Sequence, residues 1–132
     1  MNQLQKIKNC ELVEIKIANT TSSRWAFPFS ENLKGKKVIG LETYQLANVA
    51  KAPSGNALIN ATAFKDAFLT LQITGKEKIK EIPLVGFVAS SNNGLIKTLE
   101  PAEIDLQKSY VSFSQTTNLA ANESIIFAFY FE

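Results

Sequence analysis

Glu100, Glu103 and Asp105 crowd the corner around Pro101, and no other side chains in this sequence come as near to the spacing of a catalytic pair. Two carboxylates flanking a scissile bond suffice for glycoside hydrolysis, one protonating the leaving group while the other acts as base or nucleophile. Acids in so polar a context are ordinarily just solvated, and no catalytic role is expected of these three. Other routes to catalysis lack their parts. The chain has no histidine, which removes the commonest general base, the commonest zinc ligand and any Ser-His or Cys-His nucleophile pair. Cys10 is the single cysteine; it can form neither an internal disulfide nor a cysteine-rich metal site, and a buried or half-buried thiol in a reducing compartment is expected. Asp66 and Asp105 are the only aspartates, too few for a calcium-wrapping loop. Neither a nucleophile elbow nor a glycine-rich phosphate loop is present. The sequence therefore predicts a non-enzyme with no cofactor and no metal.

Two groups of residues suggest binding instead. Trp25, beside Arg24, could join Tyr44 and the 47–56 loop in a shelf on which a sugar ring stacks, although an isolated tryptophan on an alternating strand is more often core. Lys76, Lys78 and Lys80 fall on one face of a predicted strand and look at first like a phosphate-binding patch. Alternating lysines are also a device that keeps an exposed sheet edge from pairing, and Glu77 and Glu81 sit among them. Fourteen cations against twelve acids leave a net charge of only +2, and Arg24 is the sole arginine. A surface built to grip nucleic acid usually carries more field and more bidentate guanidinium groups, so no specific nucleic-acid partner is expected.

The elements that would position these residues read as strands. Val13, Ile15 and Ile17 alternate with Glu14 and Lys16, the pattern of a half-buried strand. Residues 24–29 alternate again, placing Trp25, Phe27 and Phe29 together, with Pro28 confining the stretch to an edge, a bulge or a strand end. Further strands are predicted at 37–44, 57–60, 95–99 and 109–114, and a single helical turn at 62–66. The strongest local signal is a β-hairpin pairing 68–73 with 78–84 around Gly75. Pro101 is expected to end the 95–99 strand, with turns at 90–94 and 116–122. The closing segment 124–131 is apolar on both faces. Phe127, Phe129 and Phe131 would point to the core, and Ile126 and Tyr130 to a second sheet or a partner.

These features predict one domain over residues 1–132, with 1–9 as an N-terminal arm: an all-β antiparallel β-sandwich of jelly-roll or Greek-key type with seven to nine short strands. No transmembrane segment and no secretory signal are expected.

The short N-terminal lead, the hairpin centred on residues 69–73 and 82–84, the 90–94 turn, residues 104–111 and the aromatic closing strand together resemble the small single jelly-roll virion proteins of tailless bacteriophages, of penton or minor capsid type. The resemblance implies a structural subunit that assembles in the host cytoplasm, forms a symmetric homo-oligomer and contacts other capsid proteins, with the virion as its location. On that reading Leu4, Ile7, Ile126 and Tyr130 are interface candidates. The alternative is a carbohydrate-binding or host-recognition module using Trp25 and Tyr44.

Overall fold

The computed structural model describes residues 9–44, 52–76, 78–87 and 97–132. Nine strands form two sheets: β1 (Asn9–Ile17), β2 (Arg24–Ala26), β3 (Val38–Tyr44), β4 (Ala57–Leu58), β5 (Ala67–Gln72), β6 (Lys78–Pro83), β7 (Lys97–Ala102), β8 (Tyr110–Phe113) and β9 (Glu123–Phe131). The first sheet runs β1-β9-β3-β7, with β4 added beside β9, and the second runs β2-β8-β5-β6. Setting the two-residue β4 aside, the first strand pairs with the last, the second with the second last, and so on inward to the β5–β6 hairpin, every pair antiparallel. A long hairpin rolled up in this way, so that its paired strands fall alternately in two facing sheets, is a jelly roll. The expected β-sandwich is the one observed, and the departure from antiparallel pairing is β4, which runs parallel to the start of β9.

The period-two pattern of the sequence survives where burial enforces it. Val13, Ile15 and Ile17 of β1 are buried, and they lie opposite Phe127, Ile125 and Glu123 of β9. β9 is the inner strand between β1 and β3, so both of its backbone edges are paired. Its inward row meets Leu69, Leu71, Val111 and Phe113 of the second sheet in a single core. The outward row is shielded as well: Ser124, Ile126 and Ala128 are buried and Tyr130 is half-buried. Part of that cover is the turn before β4, where Ser54 donates to Glu14 and Asn56 donates to Ser124.

Four sequence expectations need correction. Strand β2 stops at Ala26, and past Pro28 the chain turns Phe29 out to solvent while Phe27 drops into the core; the three aromatics do not share a strand face. Pro101 does not end its strand, because β7 is an edge strand and an edge tolerates the missing N–H. Lys76 lies in the hairpin turn, and a bulge opposite Thr70 interrupts the alternation of β6, so the expected three-lysine face does not form; Lys78 and Lys80 are exposed along an edge strand, as the edge-guarding reading requires. At that bulge Glu81 takes a left-handed backbone (φ 54°), with its N–H donating to the Thr70 hydroxyl. Cys10 is exposed, standing near the start of β1 with its side chain on the outer face. The 90–94 turn, Leu4 and Ile7 lie outside the described residues.

The predicted helical turn is present as α1 (Ala61–Phe64), and a side chain makes it possible. Asn60 Oδ1 accepts the N–H of Ala63, while its amide nitrogen donates to the Asn118 carbonyl and to Glu123. One residue thus caps the helix and ties it to the loop before β9. Asn60→Ala should cost about 1 to 2 kcal/mol, the upper part of the usual capping range, read as a lower urea midpoint at unchanged slope; an unshifted midpoint would show that the cap is dispensable.

Candidate functional site

An open concavity lies where the edge of the first sheet faces the edge of the second. β1 forms one wall and residues 25–32, leaving β2, form the other, enclosing an open groove of about 640 Å³. Its existence follows from the break at Pro28: with no strand continuing past Ala26, the chain swings away and the outer side of β1 keeps no strand beside it among the described residues. The floor carries Val13, Ile15 and Phe27, and the lips carry Leu12 and Phe29. Glu11, Glu14 and Glu31 set three carboxylates against the single ammonium of Lys16, so the groove is acidic. Asn32 bridges the walls at one end by donating to Glu11.

Glu14 is held as an anion. Burial acts to raise its pKa, but hydrogen bonds from Ser124 (2.6 Å) and Ser54 outweigh that and leave it below the ordinary carboxylate value. Both bonds fall on Oε2, which fixes the carboxylate as a charged acceptor.

A second polar cluster occupies the outer face of the first sheet. Gly40, Glu42 and Tyr44 of β3 lie beside Tyr130, Ala128 and Ile126 of β9, and Cys10 of β1 lies beside Tyr130. Glu42 is 9 % exposed, and its Oε1 accepts from both Tyr130 (2.5 Å) and Tyr44 (3.2 Å). Both phenols are pushed above their ordinary value, Tyr130 strongly, first by burial and then by the hydrogen bond to Glu42 and its charge; at Tyr44 a hydrogen bond with Tyr130 offsets part of this. Although Cys10 as a residue is exposed, its thiol is pushed up too, by the water its neighbours displace first and by the Glu42 charge second, which keeps it protonated and poorly nucleophilic.

The native state holds the two tyrosine protons more tightly than the unfolded chain does. Their contribution to stability is therefore whole below about pH 10 and is lost as pH rises above it. Ultraviolet titration should show Tyr44 and Tyr130 ionising above the ordinary phenol value, and Glu42→Gln should bring both earlier; ionisation of these two at the ordinary value would contradict the cluster.

The chain matches no family model, no curated protein and no solved structure. The residues singled out from sequence are not brought together. Trp25 packs against the core at the groove, its Nε1 donating to the Ser22 carbonyl (2.9 Å), whereas Tyr44 stands on the outer face of the opposite sheet; they form no common shelf. Ile126 is 1 % exposed within its own chain, which leaves Tyr130 as the outward aromatic of β9, and its hydroxyl is turned to Glu42. Glu103 and Asp105 border a smaller cleft of about 290 Å³ beside Lys34 and Gln107. There Asp105 accepts the Gln107 N–H and caps the short 3-10 turn Leu106–Lys108, a structural use of the carboxylate. Glu11, Glu31 and Phe29 were not legible as groove residues, because their meeting depends on where the chain goes after Pro28.

Proposed function

We propose that this protein is a non-enzymatic structural subunit of a bacteriophage virion, a capsid or vertex piece of penton-like type that assembles into a symmetric oligomer and contacts other capsid proteins. The observation that carries the reading is the rolled hairpin itself: apart from the two-residue β4, eight strands in two four-strand layers, a fold that recurs in capsid and lectin domains. A fold hosts many functions, and the surface favours a packing role within this one. The polar cluster around Glu42 is tied together by its own hydrogen bonds, while Leu12 and Ile79, two of the large apolar side chains exposed among the described residues, lie on edge strands. Symmetry multiplies modest contacts of that kind, since one patch recurs in every copy.

The test is light scattering and electron microscopy of the purified protein, alone and with the other proteins of the particle. Closed oligomers of one size, together with labelling of purified phage particles by an antibody against the chain, would bear it out. A protein that stays monomeric in both settings would overturn it. One observation favours the carbohydrate-binding alternative: Trp25 borders a groove that also holds carboxylate acceptors. Glycan-array signal that fades in Trp25→Ala would move the assignment there.

A further inference from the structure

Four large apolar side chains are substantially exposed among the described residues: Leu12 (49 %), Phe29 (56 %), Ile79 (42 %) and Val85 (50 %). They fall on two flanks. Leu12 and Phe29 line the groove at the β1 edge, whereas Ile79 lies on β6 and Val85 on the 3-10 turn Leu84–Phe87 that follows it. β6 is at the far side of its sheet from β2, with β8 and β5 between, so the two apolar pairs mark opposite flanks of the sandwich.

Charge divides the same way. The lining of the β1 groove carries Glu11, Glu14 and Glu31 with the one cation Lys16, while Arg24 on the facing β2 lies over Tyr110; β6 carries exposed Lys78 and Lys80, Lys78 also reaching toward the Tyr110 ring, with Glu81 at the bulge. Both strands are sheet edges with no further strand beside them among the described residues. Two β6 edges would bring lysine against lysine and two β1 edges would bring acid against acid, and like charges across an interface are costly. Only the unlike edges suit each other.

We propose that copies of this chain join head to tail, the acidic β1 edge of one receiving the basic β6 edge of the next, so that a strand is added across the joint and Leu12 and Phe29 are covered by Ile79 and Val85. This deepens the subunit reading and rests on it. Main-chain hydrogen bonds between edges supply affinity, and the unlike charges fix which edge is accepted. Because the two edges are different surfaces on opposite flanks, the contact is heterologous and builds a ring when its rotation closes. The lysines then have a double use: they prevent β6 from pairing with its own kind while matching the acidic groove.

Charge reversal at each edge tests the joint by light scattering at micromolar concentration, with far-UV circular dichroism confirming that each variant is folded. Glu11→Lys combined with Glu31→Lys, or Lys78→Glu combined with Lys80→Glu, should reduce the assembly to single chains or weaken it roughly tenfold or more. An equal mixture of the two variants should reassemble, because each then offers the edge that the other lacks, and added salt should weaken the wild-type assembly. If the wild type assembles while both variants keep its mass, or if the mixture stays dissociated, the edge joint is overturned and the subunit reading stands. If the wild type is monomeric both alone and with the particle's other proteins, both fall.

Discussion

Phe129→Ala should remove about 3 to 5 kcal/mol of folding stability, the range for deleting a fully buried ring from a packed core. Phe129 has no exposed surface and sits inside a cluster of three rings: Phe27 meets Phe127 edge to face at 4.8 Å and Phe129 at 5.8 Å, and Phe127 stacks on Phe129 at 6.2 Å. These rings come from both sides of the sandwich, because Phe27 follows the second sheet's edge strand while Phe127 and Phe129 lie on the first sheet's inner strand. Truncating Phe129 therefore leaves a void where the layers meet and forfeits the edge-to-face contact with Phe27. A domain of this size has only about 5 to 15 kcal/mol in hand, so the variant should melt far lower or fail to fold. Equilibrium denaturation checks it; a loss under about 1 kcal/mol would mean that the core collapses readily around the gap, contrary to close packing.

The same ring row shows how much could be read from sequence. Phe127, Phe129 and Phe131 alternate with Ile126, Ala128 and Tyr130, and a strand with two apolar faces has to lie inside a layered structure; β9 does so, paired on both sides. The hairpin around Gly75 was equally legible, since that glycine takes a positive φ that the turn requires. The groove was not. It exists because the chain leaves the sheet after Ala26, and alternation alone cannot tell whether Phe29 stays in register past Pro28 or turns to solvent. Sequence distance hid the Glu42, Tyr44 and Tyr130 cluster for a related reason: β3 and β9 meet only when the roll closes, and no local pattern fixes which strands become neighbours. Trp25 and Tyr44 seemed to belong together by type, yet strand order places them on different sheets, one facing in and the other out.

Edge chemistry links the fold to the assembly reading. A jelly roll is not a closed barrel, so each of its two sheets keeps two edges. Here the β6 edge carries lysines and a bulge, two common protections against pairing, whereas the nine-residue β1 edge carries acids and an apolar lip. A β1 edge of that length, with no strand beside it among the described residues, leaves backbone groups to which another strand can add. In the proposed head-to-tail joint, its acids select the basic β6 edge.

Thr43→Val should raise stability by about 1 to 3 kcal/mol, an unusual direction for a core substitution. Thr43 is fully buried on β3 opposite Phe127, and its hydroxyl has no hydrogen-bond partner, alone among the buried side chains described. A hydroxyl taken out of water without a partner keeps its desolvation penalty in the folded state. Valine has nearly the same shape and the same β-branch, so it fills the site without straining a strand backbone. Thr70→Val supplies the control. Thr70 is equally buried, but its hydroxyl accepts the Glu81 N–H at the β6 bulge (3.2 Å), and replacing it should cost about 1 kcal/mol through that lost bond. Urea melts at constant slope would show the two threonines moving in opposite directions. If Thr43→Val instead loses stability as Thr70→Val does, the Thr43 hydroxyl is satisfied in solution and the inner face of β3 is packed differently.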